Sequence, residues 1–180
     1  MEVNSQVTYI VPFRGLKPGI HRFDFEIGDA FFDGFPESQI KTGRVSVHLD
    51  FEKEERMLVL TFTLSGTVQL PCDRCNEPVD ISIGGEERLI MKFGEEYQEQ
   101  SDDVVIIPEM TYQVDVAPFI YEYTHLLVPM RKVHGEQGAE GTACDPAILR
   151  KLDELNAKAA TDDRWDALSK LKDNNSTRNS

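Results

Sequence analysis

The sequence predicts an α+β fold: a mostly antiparallel β sheet or partly open barrel, with one internal helix and further C-terminal helices. Three observations carry this prediction. Residues 44–52 alternate without interruption, Val45, Val47, Leu49 and Phe51 against Arg44, Ser46, His48, Asp50 and Glu52, the period of a strand with one dry and one wet face. Apolar runs of similar kind recur up to Val114, bounded by Gly, Pro and charged turns, as a series of connected strands requires. After Asp115 the period changes, and Val116, Phe119, Ile120, Tyr123 and Leu127 fall on one helical face.

Taken in order, residues 7–12 and 20–27 read as the first two strands, separated by the turn residues Gly15, Pro18 and Gly19. Residues 30–36 hold Phe31, Phe32 and Phe35 around Gly34 and are expected to be irregular, tucking aromatics beneath the sheet. The strand at 44–52 turns at the charged residues 53–56 and returns as a long strand over 57–70, bending at Gly66. Residues 79–83 start back, Gly84 and Gly85 break the path, and 88–93 resume it. The acidic stretch 94–103 reads as a solvated loop, without the glycine a calcium loop needs. A short strand follows at 104–108, and 112–114 adds a little pairing.

Asp115 is a plausible N-cap for the internal helix, Pro118 is tolerated in its first turn, and Pro129 ends it. Residues 130–143 are loop-like. Asp145-Pro146 then opens a helix with Ile148, Leu149, Leu152 and Leu155 as its apolar stripe, and a second helix is expected around Trp165, Leu168 and Leu171. Residues 1–171 thus form one β-rich domain whose helical part spans about 145–171, and 172–180 form a disordered tail without an apolar anchor.

Composition narrows the function. The net charge is −13, from 32 acids against 19 bases, which argues against unassisted adhesion to a phosphate backbone. Basic clusters are small, Arg131-Lys132 and Arg150-Lys151, so action on a nucleic acid implies contact through a protein or an assembled particle. No apolar run reaches the length of a membrane span and the start lacks signal-peptide character, giving a cytoplasmic expectation. No nucleotide-binding glycine pattern, nucleophile elbow or catalytic zinc signature is present. Glu122 and His125, three apart on a helix, offer an acid/base pair but no companion nucleophile.

The chemistry concentrates in Cys72-Asp73-Arg74-Cys75, held between Pro71 and Pro78 at an expected hairpin tip. With His134 and Cys144 these cysteines are the set of soft ligands that closes a tetrahedral site of three thiolates and one imidazole. Arg74 beside the thiols, and the helix start just after Cys144, both favour thiolate. Such an ion, expected to be zinc, would be structural, because four protein ligands leave no open position. Two other readings stay open: unligated cysteines, and a redox dithiol, although a working dithiol normally sits at a helix start. His21 and His48 lie in strands and read as sheet-face residues.

These motifs also carry a resemblance. Cys72-Asp73-Arg74-Cys75, the helix running from Glu122 through Leu126-Leu127 to Pro129, and residues 162–168, Asp-Asp-Arg-Trp-Asp-Ala-Leu, are together similar to the YceD-like family of large ribosomal RNA accumulation proteins. The resemblance runs from about residue 64 to 171, more loosely through the N-terminal strands. It implies a non-enzymatic role in accumulation or processing of large-subunit ribosomal RNA and in ribosome biogenesis, with a ribosomal or ribonucleoprotein partner. Many members carry further C-terminal cysteines resembling a small metal ribbon. Here Cys144 stands beside His134 instead, which favours a composite site with Cys72 and Cys75. The rival readings are a zinc-stabilised interaction module unrelated to ribosomes and a thiol oxidoreductase.

Overall fold

The computed structural model describes residues 9–135, 139–140 and 143–157. The expected helix around Trp165 and the tail at 172–180 lie outside the described residues. Those described divide into two units, meeting at the peptide bond between Ala143 and Cys144.

The first unit is built on an open, mixed sheet. In chain order it contains β1 (Ile10–Val11), β2 (Gly19–Ile27), the one-turn helix α1 (Asp29–Asp33), β3 (Thr42–Lys53), β4 (Met57–Pro71) and β5 (Pro78–Gly94). It continues with β6 (Gln98–Ser101), β7 (Val104–Pro108), β8 (Val114–Asp115), the helix α2 (Ala117–Leu126) and β9 (Ala139–Glu140). Strands β2 to β5 form an antiparallel meander; β7 joins β5 in parallel and β6 lies outermost, in the order β2-β3-β4-β5-β7-β6. β2 and β6 are opposite edges that do not pair, so the sheet is not closed into a barrel. β9 pairs with β5 at Asp80 and Ile81, while β1 and β8 form a separate two-stranded ribbon.

The alternation at 44–52 places its apolar side chains where it predicts. Val45, Val47, Leu49 and Phe51 are buried, with Leu60, Phe62 and Leu64 of β4 and Leu89 and Met91 of β5 beside them. The helix α2 lays Ile120 and Tyr123 on this layer, and the Tyr123 ring meets Phe62 edge-on at 5.3 Å. The N-cap of α2 is Val116, one residue later than the Asp115 expected from the sequence, and Asp115 Oδ1 accepts the Ala117 N–H at 3.0 Å from the position before it. The expected irregular segment at 30–36 instead contains α1, whose Phe31 and Phe32 are buried as a core role requires.

Two local readings are corrected. Gly84 and Gly85 do not break a strand, since β5 runs through them for 17 residues in continuous register with β4. The role of Gly85 is space: a Cβ there would lie 2.3 Å from Leu127 Cδ2, so the glycine lets the end of α2 settle on the sheet, whereas a Cβ on Gly84 would meet nothing closer than Leu64 O at 3.8 Å. The acidic stretch 94–103 also contains β6, fully exposed and paired to β7 through a bulge between Glu99 and Ser101. An edge strand with no buried side chain leaves no alternation to read.

The second unit is described from Cys144 through α3 (Pro146–Ala157). Asp145 caps this helix as its sequence predicts, Oδ1 accepting the Ala147 N–H at 2.7 Å. Among the described residues no helix is long and apolar enough to cross a membrane.

Candidate metal centre

The hairpin tip follows from its flanks. β4 and β5 pair to their last residues, Pro71 opposite Pro78, leaving residues 72–77 to reverse the chain. The Cys72 N–H donates to Glu77 O and the Asn76 N–H to Cys72 O, each at 2.9 Å. Asn76 takes φ 62°, the left-handed region that Asn tolerates better than most side chains. This turn carries Cys72 and Cys75, 2% and 4% exposed, to one side, and no disulfide links the three cysteines.

The loop after α2 meets this tip through a clamp. The Asp73 N–H donates to Lys132 O at 2.7 Å, and the Lys132 N–H donates back to Asp73 Oδ2 at 2.7 Å. Lys132 Nζ adds an ion pair to Asp73 Oδ1 at 3.1 Å. The Lys132 N–H, then its ammonium, hold the Asp73 carboxyl below its ordinary value. With Val133 buried beneath it, the loop delivers His134 to the sulfurs.

His134 arrives oriented as a ligand. Its Nε2–H donates to Pro78 O at 3.1 Å, which leaves Nδ1 as the lone-pair nitrogen, 3.4 Å from Cys75 Sγ. Metal-binding imidazoles are commonly fixed in this way, one nitrogen held by a carbonyl while the other faces the ion. The sulfurs are prepared as well. Burial alone would raise the Cys72 thiol, but N–H groups of Cys75, Arg74 and His134, together with the Cys75 side chain, lower it from 9.0 to about 6. One of these donors, Arg74 N, lies 3.5 Å from Cys72 Sγ.

Cys144, the residue bonded to Ala143, completes the donor set. The three sulfurs and the imidazole nitrogen all lie within 4.8 Å of one another. Three buried sulfurs and an orientated imidazole, with no carboxylate in the group, suit a soft tetrahedral ion such as zinc.

All four sequence-predicted ligands are therefore brought together. Sequence reasoning missed the Asp73–Lys132 clamp and the Pro78 carbonyl. An acid inside the Cys-x-x-Cys facing the basic pair Arg131-Lys132 was the available signal for the first, whereas nothing in a sequence marks a second-sphere carbonyl. Other candidates separate from the site. His21 Nε2 lies 2.8 Å from Lys17 O, and His48 pairs across the strands with Asp24, both sheet-face roles. His125 donates from Nδ1 to Tyr121 O at 2.8 Å.

A profile of the family described as Large ribosomal RNA subunit accumulation protein YceD matches residues 60–172, a span holding the hairpin tip, α2 and all four candidate ligands. No curated protein and no solved structure matches the chain. With the matched span covering most of the sequence, the chain belongs to the YceD family of large ribosomal RNA subunit accumulation proteins.

Proposed function

We propose that this protein is a non-enzymatic factor supporting the accumulation of large-subunit ribosomal RNA, acting in the cytoplasm through contacts with ribosomal or ribonucleoprotein partners. Membership of the YceD family is the observation that carries this reading. The net charge of −13 favours protein contact over direct RNA binding. Cys72, Cys75, His134 and Cys144 would hold a zinc ion in a structural role, since four protein donors would leave no vacant position for a substrate. Bound there, it would supply cross-linking, fastening the hairpin tip to the loop that bears His134.

Depleting the protein from its host and measuring mature large-subunit against small-subunit ribosomal RNA tests the function. A fall in the ratio is expected, restored by the wild-type chain and poorly by Cys72→Ser. An unchanged ratio on depletion would overturn the reading.

A further inference from the structure

A groove of about 1070 Å³ opens within the first unit, between the β6–β7 edge of the sheet and α2. Its floor is apolar, from Leu89, Val105 and Tyr123, and its rim carries Tyr97 and Leu126, which are 59% and 69% exposed. Glu99, Asp102, Asp115 and Glu122 line it, and among the described residues no Lys or Arg does. An exposed tyrosine and leucine above an apolar floor mark a contact surface, and the unbalanced carboxylates set the sign of what it contacts.

We propose that this groove docks an arginine-rich segment of a partner protein, its guanidinium groups lying between the carboxylate rim and the tyrosine rings. Guanidinium fits both features at once: it pairs with carboxylates through several N–H donors and stacks on aromatic faces. The local field agrees. Burial, then Glu99 and Glu122, raise the Tyr97 phenol, while burial followed by Glu87, Glu122 and Asp103 pushes Tyr123 up to about 12. A phosphate backbone would meet the same carboxylates with the wrong sign.

The proposal goes beyond the ribosomal reading and does not depend on it, since its test uses the purified full chain. A fluorescein-labelled peptide of alternating arginine and alanine is titrated and followed by fluorescence anisotropy. A peptide of alternating glutamate and alanine and a single-stranded RNA serve as the other probes. Glu99→Gln combined with Glu122→Gln is compared with Glu54→Gln combined with Glu55→Gln, which makes the same charge change on the β3–β4 turn. All four glutamates are exposed, so the fold is retained. The groove pair should weaken arginine-peptide binding about tenfold, and Tyr97→Ala should weaken it further, whereas the remote pair changes it less than about twofold. Equal losses from both pairs, absence of peptide binding, or RNA binding that depends on the groove residues would each overturn the proposal.

Discussion

Replacing Asp73 with alanine probes how the metal centre is assembled. The variant removes the bond from the Lys132 N–H to Oδ2 at 2.7 Å and the ion pair to Lys132 Nζ at 3.1 Å, but keeps the main-chain bond from Asp73 N to Lys132 O. A hydrogen bond to a charged acceptor contributes about 1.5–3 kcal/mol, and a solvent-open ion pair at most about 1. The Asp73 side chain is 40% exposed and that of Lys132 21%. Screening therefore places the loss at the lower end, about 2 kcal/mol. Urea unfolding in the presence of a chelator should report this difference between the metal-free forms.

Zinc affinity, read by competition with a chromophoric chelator, should fall up to about 30-fold, the equivalent of about 2 kcal/mol, because the clamp preorganises the loop that brings in His134. The pH dependence has a defined sign. The folded-state pKa of Asp73 is depressed below 3.8, so its stabilisation is complete above about pH 4 and disappears as the pH falls through the lower folded value. The stability gap between wild type and Asp73→Ala should accordingly stay constant down to about pH 4 and close below it. Equal stability and equal zinc affinity of the two proteins at neutral pH would refute the clamp.

Three further outcomes are expected from the fold. Gly66→Ala would bring a Cβ within 2.2 Å of Arg44 O; a backbone atom cannot step aside, so thermal unfolding should show a loss above about 3 kcal/mol or no folded protein. Gly85→Ala meets only the mobile end of Leu127, at 2.3 Å, so it should cost about 1–2 kcal/mol by urea titration, and Leu127→Ala in the same chain should recover part of that. Lys53 donates from Nζ to Phe13 O, Arg14 O and Leu16 O at 3.0, 3.2 and 2.8 Å, and Lys53→Met should cost about 2 kcal/mol while raising hydrogen exchange in residues 13–16.

What could be read from the residues depended on whether a signal was local. The strand at 44–52 declares itself, because burial of one sheet face imposes a period of two on its side chains. The tip at 72–77 was equally legible from its prolines and paired cysteines, and the clustering of Cys72, Cys75, His134 and Cys144 followed because few soft donors exist to choose from. Gly85 misled for a physical reason: glycine at a turn and glycine beneath a packed Leu127 look identical in a sequence, and only the position of α2 distinguishes them. The edge strand β6 escaped because its side chains all face water. The pairing of Asp73 with Lys132 joins residues far apart in the chain, and the fold alone brings them within reach.

Metal analysis combined with X-ray absorption on the purified protein bears most directly on the centre. The account predicts one zinc per chain, coordinated by three sulfurs at about 2.3 Å and one imidazole nitrogen at about 2.0 Å, with Cys144→Ser replacing one sulfur by a lighter atom. Protein that binds no zinc when folded in its presence, or zinc held by oxygen ligands in place of those sulfurs, would contradict it.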